Sequence, residues 1–221
     1  MSSFQSAFNP GSSTLSLTIP GSGGDEDHCE IADEWAKQDD KINCDMNEIS
    51  AGLFIGSARC TTRPEVLSAK GIQCAVNASR RDVSLPGMDV HVVDLKDDDS
   101  SSPGVLHDKL RVCHAFMAEA GKARRSVLVF CHRGISRSAM ILGTYIMARE
   151  SLGWVAALER IKQHRGSVAP NLYFLKQMYV FERSKFNWET CTSQYAALAL
   201  DFESTVKDTT WGSSSASSTP Q

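Results

Sequence analysis

Cys131, Arg137 and Ser138 stand in one short stretch, Cys131-His132-Arg133-Gly134-Ile135-Ser136-Arg137-Ser138, with five residues between the cysteine and the arginine. A cysteine thiolate is a strong nucleophile. An arginine grips two phosphate oxygens at once, where a lysine offers a point charge. These types at this spacing fit attack by sulfur on a held phosphate, with a covalent cysteinyl-phosphate as the first product. Blander readings compete. A cysteine at a strand end is commonly inert core, Arg and Ser at a helix start are commonly caps, and Cys131-His132 could be half of a metal site. No second Cys/His pair stands at zinc-finger spacing, so no metal is expected. It is the joint pattern that singles out phosphate chemistry.

The elements around these residues must hold them. Ser126-Val127-Leu128-Val129-Phe130 is an apolar, β-branched run of strand length that ends at Cys131. A polar loop with Gly134 follows, and Ala139-Met140-Ile141-Leu142 begins a helical pattern. A strand, a tight loop and a helix start make an anion trap: the first helical turn has unpaired N–H groups, and the helix dipole adds positive potential. Gly134 lets the backbone turn where a side chain would clash. The same field favours thiolate at Cys131.

This stretch resembles the signature loop of the cysteine-dependent protein tyrosine phosphatases, and its Gly-Ile-Ser-Arg-Ser ending resembles their dual-specificity branch. The resemblance runs from about Glu48 to Arg183. It includes Leu53-Phe54-Ile55-Gly56, Gly71-Ile72 with Val76-Asn77, and the pattern Arg165, Pro170-Asn171, Phe174, Gln177, Phe181-Glu182. One position departs: Phe130 stands where the family carries a histidine that helps hold the loop and tune the thiolate. The resemblance implies roles. Cys131 is the nucleophile and Arg137 binds phosphate. The backbone of His132, Arg133, Gly134, Ile135 and Ser136 contacts phosphate. The Ser138 hydroxyl stabilises the departing thiolate, and Asn171 braces the phosphate loop. Asn171 also reads as a helix N-cap.

The family's general acid is an aspartate on a separate loop. Asp97, Asp98 and Asp99 supply the candidates. Placing Leu95 at the first apolar position of the family's strand puts the acid at Asp99, with Asp98 and Asp97 as alternatives. Three close carboxylates raise one another's pKa, which helps keep one protonated. The catalytic span is short for the tyrosine-specific enzymes, and no segment resembles their phosphotyrosine-recognition loop. The resemblance therefore implies a small, atypical dual-specificity protein phosphatase. Its substrate is a phosphorylated protein, a protein kinase being one candidate, and it needs no cofactor. Phe130 motivates a rival, a weak or inactive phosphatase fold that binds phosphoproteins as an adaptor. Basic His132 and Arg133 leave room for a phosphatase of a non-protein phosphate.

The chain has 221 residues, 42% of them hydrophobic, and a net charge of −3, as expected for one soluble domain with tails. Nothing in that balance favours nucleic acid or an acidic membrane. No apolar run approaches the roughly 18–20 residues of a membrane span. The seven cysteines are scattered, and the N-terminus lacks a signal-peptide layout. Reduced thiols and a cytoplasmic setting are expected, with the nucleus open as a second compartment. Oligomeric state is left open. Residues 1–46 read as a disordered or partly helical segment, 47–187 as the catalytic domain, 188–208 as an extension with a turn or helix, and 209–221 as a disordered tail. Strands are expected at 48–57, 72–77, 90–93 and 126–131, alternating with helices. This predicts an α/β fold, a central mixed, parallel-rich sheet flanked by helices on both faces, as in protein tyrosine phosphatases.

Overall fold

Met46–Ser50 (β1) and Leu53–Ser57 (β2) form a hairpin in the computed structural model, which describes residues 45–98 and 101–208, with side chains through Ser204. Most of the expected N-terminal segment, the tail 209–221 and Asp99 lie outside the described residues. The single strand expected over 48–57 is therefore two, paired antiparallel with Glu48 opposite Phe54 and Ser50 opposite Leu53. Gly52 makes the difference. Its φ of +74° is left-handed, and its N–H donates to the Glu48 carboxylate at 3.0 Å.

The chain continues through a 3₁₀ turn, Ala58–Thr62, and a short helix, Pro64–Ala69 (α1), with proline in its first turn. Ile72–Asn77 (β3), Asp89–Val92 (β4), Pro103–Lys122 (α2), Ser126–Cys131 (β5) and Arg137–Glu150 (α3) follow. Trp154–His164 (α4), Leu172–Arg183 (α5), Trp188–Ser193 (α6) and Tyr195–Asp208 (α7) complete it. The five strands lie in the order β1-β2-β5-β3-β4, and every pairing except β1–β2 is parallel. The sheet is mixed and parallel-rich, with helices on both faces.

β5 is central and buried on both faces, which is why its sequence is apolar without alternation. Phe130 and Leu128 point into a cluster with Phe54, Cys60, Leu67 and Leu85, under the 3₁₀ turn and α1. By the two-residue period of a strand, Val127, Val129 and Cys131 face the other side, which α2 and α3 cover. α3 is buried almost all round, from Ser138 through Met147.

Residues 188–208 add two helices that pack on α2 and α5. His107 on α2 is buried, with Nδ1 2.9 Å from Thr192 Oγ1 and Nε2 2.9 Å from Gln177 Oε1. Burial holds its pKa below the ordinary value against the hydrogen bond to Gln177. Trp188 stacks on Phe181 at 3.9 Å between ring centroids, and Lys176 pairs with Glu203 at 2.7 Å.

Candidate active site

Cys131 ends β5 with its side chain turned toward the start of α3. It is 2% exposed, and its Sγ lies 3.3 Å from Ser138 Oγ. The Gly134 N–H donates to the same sulfur at 3.2 Å. The sulfur thus accepts from the Gly134 amide and lies within hydrogen-bonding distance of the Ser138 hydroxyl.

The loop from His132 to Ser136 is held from outside, carbonyl by carbonyl. The His132 carbonyl accepts from Ala58 N–H at 3.3 Å and the Ile135 carbonyl from Ala169 N–H at 3.1 Å. Arg165 donates to the Arg133 carbonyl through Nη2 at 3.2 Å and to the Gly134 carbonyl through Nε at 2.9 Å. The Ser136 carbonyl accepts from Met140 N–H at 3.0 Å and starts α3. All five peptide carbonyls thus have partners on the outer side. In a trans peptide the next residue's N–H points the opposite way, and the described chain has no cis bond. The N–H groups of Arg133 through Arg137 therefore turn inward, as the Gly134 bond to Cys131 Sγ illustrates. This is a ring of donors around one point above the sulfur.

Gly134 is required for this shape. Its φ is +69°, and a Cβ there would sit 2.6 Å from the Gly56 carbonyl oxygen and 2.8 Å from Arg165 Nη2. Ser136 occupies the N-cap position of α3, but its side chain makes no capping hydrogen bond. Its hydroxyl instead donates to Asp97 Oδ1 at 2.7 Å. The first-turn amides of α3 are left for an anion.

Arg137 is mostly buried, and among the described residues its Nε has no hydrogen-bond partner. Its Nη1 reaches only the Leu95 carbonyl, at 3.5 Å, and Asp97 Oδ2 lies 3.9 Å from Nε. A buried, unused guanidinium donor is costly unless a ligand takes it up, and a phosphate matches its fork. Of the loop side chains, His132 and Ile135 are half-buried and Arg133 is exposed.

One expected placement changes, and the expected acid lies outside the described residues. Among Asp97, Asp98 and Asp99, the structure brings Asp97 to the loop through Ser136 and Arg137, while Asp99 lies outside the described residues. Asn171 caps α5, accepting from Phe174 N–H at 2.8 Å, but its Nδ2 donates to Asp97 Oδ1 and to the Asp97 carbonyl, each at 3.0 Å. Its side chain braces the aspartate turn. Only its backbone N–H touches the phosphate loop, at Ser136 Oγ, 3.4 Å. A cleft of about 350 Å³ lies beside this turn, lined by Asp97, Asp98, Asn171 and Tyr173.

Arg165 was legible only as part of a C-terminal pattern, yet it is the chief support of the loop. It is 7% exposed, and its Nη1 bonds Asp45 at 2.7 Å and Asn47 at 2.9 Å. Burial raises the Asp45 carboxyl, but the hydrogen bonds from Arg165 and Ser57 and the charges of Arg165 and Arg59 outweigh it and hold it below the usual carboxylate range. The described residues contain no cluster of three or more His, Cys, Asp or Glu that could hold a metal ion.

Comparison with known proteins agrees with this geometry. A family model described as dual specificity phosphatase, catalytic domain, matches residues 53–184. Tyrosine-protein phosphatase yvh1 of Schizosaccharomyces pombe is 30% identical over 156 residues, covering 71% of this chain and 47% of that protein. Human dual specificity phosphatase 28 is 31% identical, over 62% of this chain and 77% of its own. The chain thus spans about half the length of the yeast relative. The crystal structure of a mouse putative dual specificity phosphatase, complexed with zinc tungstate, superposes with a TM-score of 0.60 at 29% identity, covering 73% of this chain and 96% of the mouse one. With the match extending over most of the sheet, the cysteine loop and the helices behind it, the chain belongs to the dual specificity phosphatase family.

Proposed function

We propose that this chain hydrolyses phosphotyrosine and phosphoserine or phosphothreonine in proteins through a cysteinyl-phosphate. One observation carries the reading: five loop carbonyls are tied outward, so the amides converge above Cys131 beside the unpartnered Nε of Arg137. Tungstate, with which the mouse relative was crystallised, is a tetrahedral oxyanion like phosphate.

In the first step the Cys131 thiolate attacks phosphorus, an S–P bond forms and the P–O bond to the substrate breaks. The amides and Arg137 offset the charge that builds on the equatorial oxygens. The departing oxygen takes a proton from Asp97, which stands as the general acid in preference to Asp99. The support is positional: Ser136 and Asn171 hold Asp97 Oδ1, and Oδ2 lies on the Arg137 side. In the second step water attacks phosphorus and gives its proton to Asp97. The S–P bond breaks, and the thiolate leaves against the Ser138 hydroxyl.

The test is hydrolysis of an aryl phosphate under reducing conditions with no metal added, with Cys131→Ser beside the unaltered chain. Turnover that vanishes in the variant while phosphate still binds is the expected result. Turnover that survives Cys131→Ser would remove the nucleophile from the scheme. Tight binding without turnover in the unaltered chain would favour the adaptor reading that Phe130 motivates.

A further inference from the structure

A cavity of about 410 Å³ lies at the opposite end of β5 from Cys131, where α2 and α3 end beside the β1–β2 turn. Ser126 is at its wall, roughly 16 Å from Cys131 at the rise of an extended strand. Arg124, Arg125 and Arg149 line it, and no carboxylate does. Arg125 is paired with Asp89 at 2.6 Å, and Arg149 has Glu150 only at 3.8 Å. Arg124 makes no side-chain hydrogen bond or ion pair among the described residues.

A second observation is independent of the charges. Tyr145 is 8% exposed, and its hydroxyl lies beside Gly121 in the cavity wall. That hydroxyl has no hydrogen-bond partner among the described residues. The ring is buried, and the hydroxyl stays accessible from the cavity.

Offsetting the helix dipoles explains part of the charge. Lys122 and Arg149 stand in the last turns of α2 and α3, where a cation is favourable. Arg124 and Arg125 lie beyond α2 in the connection to β5, and dipole compensation gives no account of Tyr145. One occupant satisfies all of these groups: a tetrahedral dianion accepting from the phenol and from the guanidinium forks.

We propose that this cavity is an accessory binding site for a phosphate monoester. No cysteine lines it, so the phosphate is held without being cleaved. The phosphate comes from a phosphorylated side chain of a protein or from a soluble small phosphate. The inference does not depend on turnover at Cys131.

The experiment is an amide NMR titration of the full chain carrying Arg137→Ala, which weakens the phosphate loop and isolates the far cavity. Inorganic phosphate and a phosphotyrosine peptide serve as separate probes at constant ionic strength. Saturable shifts at Gly52, Arg124 and Ser126 are expected, with dissociation constants rising at least about tenfold on adding Arg124→Gln and Arg149→Gln. Tyr145→Phe alone should weaken binding by about tenfold or more, the scale of one hydrogen bond to a charged group. In the otherwise unaltered chain, Arg124→Gln with Arg149→Gln should leave aryl phosphate hydrolysis unchanged. Tighter binding of the peptide identifies a protein source, and equal binding identifies soluble phosphate. Absence of saturable shifts at these amides, or binding indifferent to Arg124, Arg149 and Tyr145, overturns the proposal. An inactive chain that still shows the shifts would overturn the catalytic reading alone.

Discussion

The loop after β5 and the loop after β4 meet at one site but are held in different ways. In the first, each carbonyl from His132 to Ser136 has a donor, Gly134 leaves no room for a side chain, and Arg165 is bonded on four sides. In the second, Asp97 and Asp98 are exposed, and the described attachments come from a few side chains. Asn171 and Ser136 hold Asp97, Tyr173 donates to the Ser101 carbonyl at 3.0 Å, and Lys109 donates to the Asp94 carbonyl. The first loop must present fixed dipoles to a charge, where any displacement weakens every bond at once. On the proposed mechanism the second delivers one proton to a leaving group of variable shape, which tolerates a lightly tethered turn.

The contrast is sharpest in Asp97→Asn. Loss of a general acid lowers turnover by about 10²–10⁴-fold. Affinity for inorganic phosphate should hold, because the cradle is built without this side chain. Asp98→Asn should change turnover little. Steady-state kinetics on aryl phosphates of graded leaving-group pKa read both variants, and Asp97→Asn should lose most on poor leaving groups. A large loss in Asp98→Asn with none in Asp97→Asn would move the acid one residue along.

Gly134→Ala should damage binding and turnover together. The new Cβ meets the Gly56 carbonyl carbon at 2.7 Å, backbone against backbone, in a left-handed conformation. Strain and overpacking together suggest about 3 kcal/mol lost in stability. A cradle displaced by an ångström costs about 10²-fold in rate. Thermal unfolding and phosphate affinity measure the two effects, and a variant that binds phosphate normally would show the loop to be more pliant than its hydrogen bonds imply.

These two positions also show what the sequence could carry. The strand, the loop and the helix start at 126–138 are legible because each type is demanded by local chemistry: apolar residues for a doubly buried strand, glycine for positive φ, arginine for phosphate. The hairpin was hidden because apolar residues continue on both sides of Gly52 and only its φ marks the turn. The place of Asp97 was hidden because three consecutive aspartates look alike in sequence, and only the contacts from Ser136 and Asn171 mark it out. Arg165 was hidden for a different reason: its partners, Asp45, Asn47, Arg133 and Gly134, are distant in sequence, and no local pattern reports a contact of that kind. Phe130 reads as a departure from the family, and the structure gives it a core role on the sheet face opposite Cys131.

Arg165→Lys tests whether the stiffness comes from the guanidinium fork or from its charge. A lysine keeps the charge near Asp45 but cannot reach the carbonyls and both acidic-side partners together. The expected loss is about 2–3 kcal/mol in stability, for a buried and multiply bonded group. A fall in kcat/KM of about tenfold or more should accompany it, with phosphate affinity falling in step. If kcat/KM survives while stability falls, Arg165 braces the fold and not the cradle.

The smallest effect separates the two loops by pH. Asp45 has its carboxyl held below the ordinary 3.8 in the folded chain, so the unfolded chain binds the proton more readily. Stability from the Asp45–Arg165 pair is therefore complete above that ordinary value and is lost as pH falls through the folded value. Asp45→Asn should lower the unfolding temperature at neutral pH and flatten the acid limb of stability below pH 4, since the titrating group is gone. Asp45 anchors the stiff loop through Arg165, whereas Asp97 lies on the turn after β4. Acid limbs of equal steepness in the unaltered chain and in Asp45→Asn would mean that Arg165 holds the phosphate loop through its carbonyl bonds alone.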